Sequence, residues 1–178
     1  MLLYILMGII QFGLIFSVYI TVNNAVREGA RWASFSLYDN TLSGDVPVGN
    51  DTARNNGLVD RMIQSRGILS MAARGSSTSN FSTTSTGTYA VANCPTQSPS
   101  PELGYYYGTS NSNPDVTICY SRPTGIAYND TRKGYYLEVQ VYYHLQVFIP
   151  LIQPFLPDDP VKGAPWIRLP GRMTIVVN

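Results

Sequence analysis

Charge is scarce in this chain, and histidine, lysine and cysteine are scarcer still. Of 178 residues only 13% are charged, whereas 44% are hydrophobic. There is one histidine, His144, and there are two cysteines, Cys94 and Cys119. A Ser-His-Asp or Cys-His site would have to be built around that single imidazole, and two cysteines far from it are too few for a zinc site. No glycine-rich phosphate loop and no nucleophile elbow occurs. Asp158-Asp159 lacks the ligand count calcium needs and reads as a turn between Pro157 and Pro160. We therefore nominate no catalytic, cofactor-binding or metal-binding residue, and expect no enzyme. The basic residues are ten Arg plus Lys133 and Lys162, balanced by 11 acidic ones and never clustered beyond two neighbours. A nucleic-acid footprint is absent.

One long absence of charge is at the start. From Met1 to Val26 there is no charged side chain, and the stretch reads as one apolar helix continuing to about Leu37. About 20 apolar residues span a bilayer core. A 37-residue helix would be about 55 Å long, more than a bilayer, so its second half should lie on the rest of the chain. Along it Gly13, Ser17, Thr21, Ala25, Gly29 and Ala33 recur every fourth residue. Small residues at that spacing leave a shallow groove that lets other helices approach closely. The groove winds around the helix, which suits several neighbours at different heights. Arg27, Glu28 and Arg31 follow the apolar part. They either fix register against neighbouring subunits or mark the membrane boundary.

What is abundant beyond the helix is tyrosine, 13 in the whole chain. Tyr covers contact area at low entropic cost, as in assemblies. Residues 39–50 read as a loop, and a second helix is predicted from Asp51 or Thr52 to about Ala73, weakened by Gly57 and Gly67. Ten of the thirteen residues 76–88 are Ser or Thr, which predicts a surface loop or an O-glycan acceptor. Short strands are predicted at Tyr89–Asn93, Tyr105–Tyr107 and Val116–Ser121. Leu137 to Ile149 alternates apolar and polar residues and predicts a half-buried antiparallel strand, with His144 on its outer face and without a role. A proline-rich excursion leads to a last short strand at Met173, Ile175 and Val177, predicted to pair with the long one. Three Asn-X-Ser/Thr sequons begin at Asn50, Asn80 and Asn129.

Cys94 and Cys119 lie in strand-like surroundings and are expected to form a disulfide in an oxidising compartment. Closing that loop of about 26 residues would contribute roughly 3 kcal/mol. Arg27 and Arg31 argue the other way, since basic residues mark the cytoplasmic side. The expectation that reconciles them is a basic leader upstream of Met1, which begins in mid-helix without a cap.

The segments Gly8-Ile9-Ile10-Gln11-Phe12-Gly13 and Asn24-Ala25-Val26-Arg27-Glu28-Gly29-Ala30-Arg31 resemble the N-terminal helix of TadE-like proteins, pilin-like components of the tight-adherence (Tad) branch of type IV pili. The resemblance covers about 35 residues, and the long strand, proline-rich stretch and final strand also look similar. Gln11 stands where the family often has Glu, and the family's processing site cannot be read. The resemblance implies an α+β, type IV pilin-like fold: a membrane and filament-core helix (1–37) and an extracytoplasmic globular domain (38–178) with an antiparallel sheet and a second, shorter helix. It implies a structural pilus subunit, held in the inner membrane and then extracellular. Its partners would be copies of itself in a helical filament and the pilus assembly machinery, with no cofactor. On this reading the subunit interface comprises Gly13, Ser17, Thr21, Ala25, Gly29, Ala33, Arg27, Glu28 and Arg31. The alternatives are a minor pilin that primes or tips a filament, and a monomeric membrane-anchored binding domain.

Overall fold

The computed structural model describes residues 2–35, 46–90, 103–108, 112–129, 131–149 and 152–178. Helix α1 (Leu2–Ser34) leads into α2 (Val46–Gln64) and then five strands, β1 (Ser85–Ala90), β2 (Leu103–Tyr107), β3 (Val116–Ser121), β4 (Tyr136–Gln146) and β5 (Trp166–Val176). All neighbouring strands are antiparallel, and their spatial order is their order in the chain. The fold is α+β and pilin-like, as the sequence predicts.

The alternation of β4 reads directly into burial. Leu137, Val139, Val141 and Tyr143 face the core, while Tyr136 is exposed and Gln140 and Tyr142 are half-buried. The C-terminal half of α1 covers that inner face, and Val18, Val22, Val26, Ala30 and Ala33 join one cluster with Leu58 and Met62 of α2 and with β3 and β4. At Gly171 of β5 the helix comes so near that a Cβ there would lie 2.8 Å from Val22 Cγ1. Burying Val18, Val22 and Val26 is worth roughly 1.5–3 kcal/mol each and the alanines less, which holds this half of the helix to the sheet.

Several predicted elements shift. Helix α2 starts at Val46, within the segment read as a loop, because Pro47 falls in its first turn, where a missing N–H costs nothing. It ends at Gln64 instead of near Ala73, and Gly67 just beyond takes a left-handed φ of 55°. The Ser/Thr-rich segment is not simply a surface loop. Phe81 is fully buried in the core, Ser82 and Thr83 are buried beside it, and β1 begins at Ser85. Its hydroxyls serve the backbone: Thr83 Oγ1 donates to Ala73 O at 2.7 Å, and Thr78 Oγ1 to Ser70 O at 2.9 Å. Strand β5 is eleven residues long, so its first half lies inside the predicted excursion. It is an edge strand, which is where a proline such as Pro170 is tolerated in a sheet. The predicted strand at Tyr89–Asn93 overlaps β1 only at Tyr89 and Ala90, and residues 91–93 lie outside the described residues.

Candidate functional site

The predicted interface divides in two along α1. Gly13 and Ser17 are exposed, and a Cβ built on Gly13 would meet nothing within 4 Å. Thr21 is half-buried, its hydroxyl donating to Ser17 O at 2.8 Å. Ala25, Gly29 and Ala33 are buried inside the protein. A Cβ on Gly29 would lie 2.5 Å from Met62 Cγ and 3.0 Å from Leu58 O. The small-residue stripe is thus buried within the protein over its upper half, with Gly29 against the chain's own α2, and is open over its lower half. The sequence could not separate these uses, because close approach to any helix needs the same small residues.

The charges beyond the apolar part also find local surroundings. Glu28 accepts from Arg61 of α2 at 2.9 and 3.2 Å, an ion pair with both side chains well exposed and worth at most about 1 kcal/mol. Arg27 and Arg31 are exposed, lining an open groove of about 520 Å³ between α1 and β5 that also includes Met173 and Ile175.

Below Val18 the helix is a naked apolar rod on most sides. Leu2, Leu3, Tyr4, Ile5, Leu6, Ile9, Ile10, Phe12 and Phe16 are all exposed. The helix is long and apolar enough to cross a membrane. One face is the exception. Gln11 is 2% exposed, its Oε1 accepting from the backbone N–H of Phe148 at 3.3 Å, and Gly8 lies against Ile152. The proline-rich excursion therefore descends along α1 to its third turn.

His144 is the residue the sequence reading missed. It does point to the outer face of β4, but it is 1% exposed, because the Asn80–Ser82 segment and the excursion cover that end of the sheet. Its Nε2 bonds Asp115 Oδ1 at 2.9 Å and its Nδ1 bonds Asp159 Oδ2. Asp115 also accepts from Ser82 N at 2.7 Å, and Asp159 from Val161 N at 2.8 Å. Burial pushes the imidazole pKa down, but the hydrogen bonds and charges of the two aspartates outweigh it and hold the pKa above the usual 6.5. For Asp159 burial pushes up, and the His144 bond and two backbone N–H groups outweigh it, leaving the carboxyl below 3.8. Both ring nitrogens face carboxylates, so none is left for a substrate, and the group ties three segments together. A second buried cluster does the same for α2: Asp51 meets Arg132 at 3.0 Å and Arg54 at 3.7 Å, while Asn55 accepts from Tyr120 Oη at 2.7 Å. Among the described residues no cluster of metal-ligating side chains occurs.

Cys119 is buried on β3 and is not a free thiol, while Cys94 lies outside the described residues. Of the sequons, Asn80 and Asn129 spend their side-chain amides on backbone carbonyls, Asn80 on His144 O at 2.8 Å and Asn129 on Lys133 O at 3.1 Å.

Residues 1–31 match the family model described as TadE-like protein, the family that the first helix resembles. No curated protein and no solved structure matches the chain.

Proposed function

We propose, from the TadE-like match over its first helix, that this protein is a structural subunit of a Tad-like type IV pilus, assembling through its N-terminal apolar helix. The observation that carries the reading is the bare lower half of α1, where large apolar side chains from Leu2 to Phe16 stand exposed while the upper half packs one face into the domain. A protein cannot leave that much apolar surface in water. A membrane covers it before assembly, and helices of identical subunits cover it afterwards, so extraction from lipid replaces one apolar environment with another. The open part of the small-residue stripe, Gly13 and Ser17, is where a neighbour's helix passes closest. Arg27 and Arg31 remain available to a neighbour's carboxylate, whereas Glu28 already pairs with Arg61 in its own chain.

Electron microscopy of the protein sheared from cells tests the reading directly, with filaments expected and their absence overturning it. Gly13→Leu refines it. The space around Gly13 is empty within the protomer, so the variant should fold and melt like wild type yet assemble poorly, since overpacking costs roughly 1–3 kcal/mol at each contact. Normal filaments from Gly13→Leu would remove the stripe from the interface. Abundance in sheared filaments separates a main subunit from one that primes or tips.

A further inference from the structure

The excursion between β4 and β5 carries an uncharged run from Val147 to Pro157, and charge returns only at Asp158. Its lower edge touches α1 at Gly8, through Ile152, and at Gln11, through Phe148. Two aromatic side chains on this edge point away from the protein: Phe148 is 69% exposed and Phe155 83%. Where the edge meets α1, at Gly8 and Gln11, the adjoining residues Ile9, Ile10 and Phe12 of the helix are exposed as well.

The hydrogen bond between Gln11 Oε1 and the Phe148 N–H matters here. Gln11 is covered by the loop itself, so its carbonyl takes a protein partner there. An unpaired buried carbonyl is expensive, and the bond satisfies Gln11 Oε1 and the Phe148 N–H, while Gln11 Nε2 stays buried without a partner among the described residues. The polar residue that interrupts the apolar helix is thus used where the loop leaves the sheet. The loop also occupies the Gly8–Gln11 face of α1, so no neighbouring helix can reach that face. Acyl chains, unlike a helix, conform to two protruding rings beside a rod.

We propose that the edge bearing Phe148 and Phe155 is a second membrane-inserting element, sunk among the acyl chains beside the first turns of α1. The proposal rests on the reading that α1 is embedded in a membrane before assembly. It places Gln11 and the loop edge at the depth of the acyl chains, with the bilayer surface on the C-terminal side of Phe16, whose ring is also exposed.

Two tryptophan variants of the full chain test this in phosphatidylcholine vesicles with and without bromine on the acyl chains, with wild-type emission subtracted. Ile5→Trp reports on the helix and Phe155→Trp on the edge. Both should lose emission in the brominated vesicles, and Phe155→Trp should be shielded from aqueous iodide. If only Ile5→Trp is quenched, the helix is embedded and the proposal for the edge is overturned. If neither is quenched, the membrane reading itself falls and takes the proposal with it. Shielding of Phe155→Trp that arises only in assembled filaments would make the occupant a second copy and overturn the lipid assignment.

Discussion

At the scale of single residues, His144 shows how a group with no apparent role comes to hold a fold together. Its imidazole joins β4 to Asp115 before β3 and to Asp159 in the excursion. Because its folded pKa is raised above 6.5, its stabilisation is complete below about pH 6.5 and is lost as pH rises through the folded value. For Asp159, lowered from 3.8, stabilisation is complete above about pH 3.8 and is lost as pH falls through the folded value. The clasp is therefore whole between these limits. The melting temperature, followed by circular dichroism, should be highest between about pH 4 and 6.5 and decline at alkaline pH. His144→Gln should flatten that alkaline decline, and parallel curves for variant and wild type would exclude the clasp as its source. Alternation along β4 correctly gave the face on which His144 lies. Which segments cover that face was not legible, because Asn80, Asp115 and Asp159 approach it from distant parts of the chain.

At the scale of elements, the crossing of α1 and α2 depends on glycine from both sides. Gly29 admits Met62 and the Leu58 carbonyl, and Gly57 lies under the Trp32 ring. Gly29→Leu cannot be accommodated by a rotamer change alone, since backbone lies at 3.0 Å from the new Cβ. We expect a loss of roughly 1–3 kcal/mol, read as a lower denaturation midpoint of the unassembled protein. An unchanged midpoint would mean the helices do not meet there. Glycine at positions 29 and 57 was visible in the sequence, but it read as a filament groove in one helix and as a weakness in the other. Only their juxtaposition explains both. The length of β5 was hidden for a similar reason, since Pro165 and Pro170 suggest a loop until an edge position makes Pro170 acceptable.

At the scale of the whole molecule, one helix has two environments. Its upper half completes the core and its lower half, with the Phe148–Phe155 edge, stays outside it. The domain can then remain folded while the lower half exchanges lipid for protein. The proposed pilus function would put the domain outside the cytoplasm, where Cys94 and Cys119 would be oxidised. Intact-mass measurement of the protein under non-reducing conditions, with alkylation before and after reduction, should find no reactive thiol in the native form and two after reduction. Two alkylatable thiols in the folded native protein would rule out the bond. It would also remove the argument from cysteine for an extracytoplasmic domain.

What the sequence determined alone was whatever depends on near neighbours in the chain. The uncharged run before Arg27 made α1 a membrane-grade helix. The alternation from Leu137 made β4 a strand with an apolar inner face, and one member of the small-residue stripe, Gly29, lies where α1 and α2 meet closely. Tertiary structure decided what each surface meets. It buried Ala25, Gly29 and Ala33 inside the protein, Gly29 against α2, and left Gly13 and Ser17 open. It buried His144 between two carboxylates and turned a Ser/Thr-rich stretch around the buried Phe81. Periodicity is set by local backbone geometry and survives in one dimension. Partnership is set by contacts across tens of residues, and no local pattern encodes it.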